Sequence, residues 1–333
     1  MKLGIVGSGG IVKDVLIALK PINTVKIQAI WVRPHSEAKG QALAQENDIS
    51  QVYTDYEAFL KQADIDTAYI GLVNSAHYEY AKKALLTGHN VIVEKPFGSN
   101  LREVRELVQL AKEKNLFLLE AVSLLHMPNF RKLQELLPKL SPIRMVQANY
   151  SQYSSRYDKY LEGTVLPAFD PQLSGGALYD INIYNLNLII GLFGLPNNLI
   201  YQAHKGFNGI DTSGVVLMSY PEFQALAIGA KDSGSPSTCL IQGEKGWLKI
   251  ETAPNELEKI TCQIRGEDNI QEYALNQYPH RLSHEFAAFA AMLANKDFAA
   301  RDLYLNISLQ VAEVAEKARK QAGISFPADQ QFH

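Results

Sequence analysis

Asp180 and Tyr184 stand four residues apart in the run Gly175-Gly176-Ala177-Leu178-Tyr179-Asp180-Ile181-Asn182-Ile183-Tyr184. On a helix that spacing puts a carboxylate and a phenol on one face. Such a pair can hold a sugar-like diol and exchange its proton. The same run also reads as a tyrosine-rich helix packing its apolar side on a sheet. A second candidate is Lys95, in the triplet Glu94-Lys95-Pro96. It follows an apolar run, so it sits at a strand end, where a doubly wound sheet opens to its ligand. A lysine there can donate to a hydroxyl or carbonyl oxygen, and its ammonium favours a neighbouring phenolate. A single strand-end lysine can equally be structural or solvated.

The third feature is the turn Gly7-Ser8-Gly9-Gly10-Ile11-Val12. A pyrophosphate needs backbone N–H groups aimed at it and no side chain in the way. Gly7 allows the tight turn, and Gly9 lets the backbone approach the phosphates. Val12 takes the third fingerprint position, where glycine or alanine is usual, and predicts a helix set slightly off its strand. An ordinary glycine-rich βα turn is the alternative. Its place after a strand and before a helix favours the nucleotide. The fourth feature is an absence. NAD-specific sites place Asp or Glu at the end of the second strand to hold the ribose 2′-hydroxyl. Here that end reads Trp31-Val32-Arg33-Pro34-His35-Ser36, with no carboxylate before Glu37. Arg33 can stack on adenine or pair with a 2′-phosphate, or be a plain surface arginine. The missing acid points toward NADP, with NAD still possible.

These residues need elements to position them. The first third of the chain alternates strand and helix. Strands are predicted at Leu3 to Val6, Val25 to Val32, Thr67 to Leu72, Asn90 to Val93 and Leu116 to Leu119. Helices lie between them, one opened by a Thr54/Glu57 capping box and one capped by Asn100 and Glu103. That rhythm means right-handed βαβ units and a parallel sheet. After about residue 122 strand-like runs dominate: Ile143 to Tyr153, Leu199 to His204, Gly214 to Tyr220, Phe223 to Ala230, Thr238 to Ile241 and Trp247 to Ile250. Short turns between them predict an antiparallel sheet. Helical patterns occur at Asn129–Leu137, Ala177–Phe193, Leu282–Leu293 and Ile307–Ala322. The expected fold is α/β, with a doubly wound parallel-sheet domain over 1–122 and an α/β domain with a mostly antiparallel sheet over 123–333.

The composition excludes several classes. A net charge of −3 across 333 residues, with no basic run, gives no footprint for nucleic acid. The longest apolar stretch, Ala177 to Leu195, carries Asp180 and asparagines, so no membrane span is expected. Gly7, Gly9 and Gly10 interrupt the N-terminal apolar residues, so no signal peptide is expected. Cys239 and Cys262 are isolated, with no metal-binding spacing, and read best as buried free thiols. A cytoplasmic protein without a metal is the expectation.

Taken in order, the glycine turn, Asn74-Ser75-Ala76-His77, Glu94-Lys95-Pro96 and Gly-Gly-Ala-Leu-x-Asp-x3-Tyr resemble the glucose-fructose oxidoreductase / inositol dehydrogenase family (Gfo/Idh/MocA). With tyrosine at 184, the motif is most similar to the dimeric dihydrodiol dehydrogenase-like members. The resemblance implies a Rossmann domain, and a second domain whose open sheet face builds a homodimer or homotetramer. It implies NADP or NAD held by Gly7, Ser8, Gly9, Gly10, Ile11, Val12, Arg33, Leu72, Asn74, His77, Glu94 and Lys95. It implies catalysis by Lys95, Asp180 and Tyr184, and a cis peptide before Pro96. The departures are Tyr184 for a common histidine, Asn182 for a common glycine, and Asn187 where some members have histidine. They bear on the substrate more than on the chemistry.

The expected reaction moves a hydride between nicotinamide and a hydroxyl-bearing carbon of a sugar, polyol or diol. Tyr184 handles the hydroxyl proton, Lys95 favours its phenolate, and Asp180 orients the substrate or the lysine. Ser154 to Tyr160, polar and aromatic, either lines the substrate side or is a surface loop. The alternatives are a non-catalytic NADP-binding sensor, and a redox-assisted glycosidase or lyase with tightly bound nicotinamide.

Overall fold

The computed structural model describes residues 1–330. The chain runs β1 (Lys2–Val6), α1 (Gly10–Leu19), β2 (Lys26–Trp31), α2 (Glu37–Glu46), β3 (Gln51–Tyr53), α3 (Tyr56–Gln62), β4 (Thr67–Ile70), α4 (His77–Leu86), β5 (Asn90–Glu94), α5 (Leu101–Glu113) and β6 (Leu118–Ala121). It continues with α6 (Pro128–Leu140), β7 (Ile143–Ser151), α7 (Tyr157–Leu161), α8 (Ile183–Phe193), β8 (Asn198–Lys205), β9 (Asp211–Ser219), β10 (Gln224–Ala230), β11 (Cys239–Gly243), β12 (Gly246–Ile250), β13 (Ile260–Ile264) and β14 (Gln271–Tyr273). Two helices close it, α9 (Arg281–Asn295) and α10 (Phe298–Gln321).

Two compact units result: Met1–Ala121 with Tyr278–Leu309, and Val122–Gln277 with 310–330. In the first, six parallel strands lie in the order β3-β2-β1-β4-β5-β6. Strands covered on both faces are apolar throughout rather than alternating. Accordingly Leu3, Ile5, Val6, Ala68, Tyr69, Ile70, Val91, Ile92 and Val93 are all fully buried. The strand order reverses at β1 and β4, which creates the crevice where such sheets take their ligands.

The second unit holds eight strands in the order β14-β13-β12-β11-β7-β10-β9-β8. Only β7 and β10 pair in parallel; the other neighbours are antiparallel. Both cysteines are free and buried, on β11 and β13. Among the described residues no helix is long and apolar enough to cross a membrane.

Three local expectations are corrected. The span 123–333 is not one block, because 278–309 packs with the first unit. There α9 buries Leu282, Phe286 and Phe289 in the core of β1 and α1. Phe286 meets Tyr69 edge-on at 5.6 Å, and the Ser283 hydroxyl donates to the Ala18 carbonyl at 2.8 Å. The helix at Tyr56 is capped by Asp55, not Thr54: its carboxylate accepts from the Ala58 N–H at 2.9 Å. Residues 178–182 form a π-helical turn rather than the start of a continuous α-helix. Residues 154–156 turn at the surface into α7, where Asp158 and Lys159 are exposed and Tyr160 is buried, its ring stacked on Phe169 at 4.9 Å.

Candidate active site

The glycine turn lies between β1 and α1, at the reversal of strand order. Gly7 has φ +123°, and a Cβ there would come within 2.5 Å of the Gly71 carbonyl oxygen. Only glycine fits this turn. At Gly9 and Gly10 an added Cβ would meet nothing within 4 Å. No side chain caps α1, and its first turn holds no acidic residue. Free space, uncapped N–H groups and the positive end of a helix dipole suit a pyrophosphate. Val12 is fully buried, and the room for it comes from Gly71: a Cβ there would approach Val12 Cγ2 to 2.9 Å. The small residue that the fingerprint places on the helix stands here on the neighbouring strand end. Ser8 and Ile11 are half-buried beside the turn.

Arg33 follows β2 with extended backbone, half-buried, and opens the turn Pro34–Ser36. The nearest following carboxylate, Glu37, is exposed in the first turn of α2. A strand end with a cation and no acid suits a phosphorylated ribose better than a free 2′-hydroxyl.

Leu72 and Asn74 follow β4, and His77 begins α4. His77 is fully buried and spans two strand ends. Its Nδ1 lies 2.8 Å from the Pro96 carbonyl oxygen, and its Nε2 lies 3.1 Å from that of Leu72. Burial lowers its pKa against the pull of both carbonyls, and the Lys95 charge lowers it further. Beyond β5, the Lys95–Pro96 peptide is cis and Lys95 is half-buried. Glu94 is buried, and the Tyr69 hydroxyl donates to it at 2.8 Å. Burial raises the Glu94 carboxyl, opposed by the Tyr69 bond and the Lys95 charge. Two further carboxylates, which no sequence motif marks, lie in the same unit. Glu120 is buried on β6, and Glu285 on α9 has neither oxygen hydrogen-bonded. Burial pushes Glu120 up to about 7 and Glu285 well above the usual range.

In the second unit Asp180 lies on the π turn and Tyr184 in the first turn of α8. Asp211, at the start of β9, caps the π turn by accepting from the Leu178 N–H at 2.6 Å and the Tyr201 hydroxyl at 2.7 Å. Gly176 has φ +101°, and a Cβ there would collide with that carboxylate. Burial raises the Asp211 carboxyl, partly offset by the Tyr201 bond. Asn182 donates to the Ala227 carbonyl at 3.1 Å, and Asn185 to that of Ile228 at 2.8 Å. These bonds tie the helix to β10. The Lys231 ammonium pairs with the Asp180 carboxylate. Tyr184 is 6% exposed, and its ring centroid lies 5.9 Å from that of Tyr150. Asp211 and Lys231 carried no motif that sequence reasoning could use.

A doubly wound nucleotide-binding unit, and a second unit presenting a carboxylate and a phenol at a π-to-α junction, define a dinucleotide-dependent oxidoreductase. Residues 1–121 match the oxidoreductase family with NAD-binding Rossmann fold, and residues 130–249 match the GFO/IDH/MocA C-terminal domain. The chain is 32% identical over 330 residues to scyllo-inositol 2-dehydrogenase (NADP(+)) IolU of Bacillus subtilis (strain 168), covering 99% of both chains. It is 26% identical to trans-1,2-dihydrobenzene-1,2-diol dehydrogenase of Macaca fuscata fuscata, covering 99% of both. KijD10, a 3-ketoreductase from Actinomadura kijaniata solved with NADP and TDP-benzene, shares the fold. Its TM-score is 0.82 at 20% identity, over 96% of this chain and 97% of that one. The chain belongs to the Gfo/Idh/MocA oxidoreductase family, and it is an NAD(P)-dependent oxidoreductase acting on CH–OH groups.

Proposed function

We propose that the protein is an NADP-dependent dehydrogenase or reductase of a sugar, inositol or diol, with Lys95, Asp180 and Tyr184 as its catalytic residues. The observation that carries the cofactor choice is Arg33 at the end of β2 with no carboxylate beside it. The full-length likeness to an NADP+-dependent inositol dehydrogenase supports both cofactor and substrate class. Gly7 to Val12 would hold the pyrophosphate and Arg33 the 2′-phosphate, with Leu72, Asn74, His77 and Glu94 completing the nucleotide side. Bound nicotinamide supplies the hydride acceptor or donor. Tyr184 takes or returns the proton of the substrate hydroxyl, Lys95 donates to the same oxygen, and Asp180 orients the substrate.

The test is a panel of scyllo-inositol, myo-inositol, aldoses and trans-dihydrodiols with NADP+ and NAD+ in parallel, read at the absorbance of the reduced cofactor. Lys95→Met and Tyr184→Phe should each cut hydride transfer about 100-fold or more, the range of lost acid–base catalysis, while NADP+ still binds. Near-full turnover in either variant would remove that residue from the mechanism. Reduced-cofactor signal from no panel member would sink the dehydrogenase reading. A homodimer or homotetramer fits the second sheet, and a cytoplasmic location is part of the same reading. Ile200, Leu217 and Leu226 pair in register across β8, β9 and β10, and the first two are exposed. An uncovered apolar row of this kind suits a second copy.

A further inference from the structure

We propose that Lys231 is a positioning residue for the reaction, acting through its ion pair with Asp180; the inference rests on the catalytic assignment of Asp180. Lys231 follows the last residue of β10, and its side chain is 3% exposed. An ammonium so far from water needs a compensating partner, and here the partner is the Asp180 carboxylate. The Lys231 Nζ also stands 4.8 Å from the centre of the buried Phe169 ring, which adds a cation–π contact.

The strand end is fixed independently of that pair. The Lys231 N–H donates to the Thr212 carbonyl at 2.8 Å, and the Ser154 N–H donates to the Lys231 carbonyl at 2.9 Å. The Thr212 and Ser213 hydroxyls both donate to the next residue, Asp232, at 2.7 Å. Lys231 therefore projects from a rigid base. The π turn carrying Asp180 is mounted on the same sheet at two other points, Asp211 on the Leu178 N–H and Asn182 on the Ala227 carbonyl. Gly229 leaves the space for the second, since a Cβ there would lie 2.5 Å from Asn182 Cβ. Lys231 is the third point, and the one that grips a functional side chain rather than the backbone.

The pair is buried on the lysine side and open on the aspartate side, and such a pair contributes little net stability. What it does contribute is orientation: it limits the rotamers of Asp180, so the carboxylate faces substrate in one geometry. A misplacement of about 1 Å at such a group costs on the order of 100-fold in rate.

The experiment compares Lys231→Met, Asp180→Asn and the double variant in the full chain, with the best-turned-over panel substrate and NADP+. Lys231→Met should lower kcat about 10- to 100-fold, the worth of a charge-assisted hydrogen bond, with NADP+ affinity unchanged. The double variant should be no slower than Asp180→Asn alone, because Lys231 acts through Asp180. Amide exchange over 177–184 should quicken in Lys231→Met while exchange in β9 stays slow. Full kcat in Lys231→Met, losses that multiply in the double variant, or unchanged exchange over 177–184 would overturn the proposal. An active Asp180→Asn would instead overturn the catalytic assignment on which it rests, and the exchange result would still report on positioning.

Discussion

His77 joins the two strand ends of the nucleotide unit: its Nδ1 sits 2.8 Å from the Pro96 carbonyl oxygen, next to Lys95, while its Nε2 faces Leu72. The ring is buried and its pKa lowered, which keeps the imidazole neutral at physiological pH. A neutral ring donates from one nitrogen, and the shorter contact marks Nδ1 as the donor. His77→Leu keeps the bulk and loses both contacts, leaving the Pro96 carbonyl without its donor. It should cost about 2 kcal/mol of stability and, if the proposed cofactor contacts hold, weaken NADP+ binding, because both tethered segments are assigned to the nucleotide side. Thermal unfolding and cofactor titration check this together. A variant with wild-type affinity would make His77 a packing residue only.

Gly7 and Gly9 should answer alanine in opposite ways. Gly7→Ala adds a Cβ 2.5 Å from the Gly71 carbonyl at φ +123°, so the fold itself must yield. It should destabilise by about 2–4 kcal/mol. Gly9 has an ordinary φ of −75° and open space around an added Cβ. Gly9→Ala should therefore melt like the wild type yet bind NADP+ about 10-fold or more weakly, since the methyl stands where the pyrophosphate approaches. Equal affinity in Gly9→Ala would displace the cofactor from this turn.

What was legible in the sequence follows from how locally each feature is caused. The glycine turn could be read because a backbone requirement dictates its residue types directly. β1, β4 and β5 could be read because burial on both faces makes their central residues apolar in unbroken runs. β3 and β14 could not: Gln51-Val52-Tyr53 and Gln271-Glu272-Tyr273 are short and partly exposed, and only their neighbours make them strands. The amphipathic pattern of α9 announced a helix but not which core it would join. The π turn has no local signature either, because it is held by Asp211 and by the Ala227 carbonyl, on strands over thirty residues away. Lys231 is one lysine among many until β10 ends beside Asp180.

Arg33 should set the choice of nucleotide. It is the cation nearest the end of β2, and no carboxylate there competes for a ribose hydroxyl. Arg33→Ala should lower kcat/KM with NADP+ about 10- to 100-fold, the worth of one or two charge-assisted hydrogen bonds, and leave NAD+ nearly unchanged. The ratio of the two kcat/KM values is the measurement. Equal losses with both nucleotides would show Arg33 stacking on adenine instead.

Glu120 should make the first unit weaken as the pH rises. Burial pushes its carboxyl up to about 7; the Ser308 hydroxyl and the Phe97 N–H, which donates at 3.0 Å, pull it back, and the charge of Glu94 adds to the rise. The folded chain thus keeps a proton that the unfolded chain releases in the ordinary carboxylate range. Stability is full below that range, falls as the pH climbs toward about 7, and levels off above it. Over that interval the loss is on the order of 3 kcal/mol, at about 1.4 kcal/mol for each unit of displacement. Glu120→Gln cannot ionise, so between pH 5 and pH 8 it should lose about 3 kcal/mol less stability than the wild type. Glu285 and Glu94 are raised in the same direction and remain, so some slope persists in the variant. Urea unfolding of both proteins at the two pH values decides it. Parallel losses would mean that Glu120 is already ionised in the folded state at neutral pH.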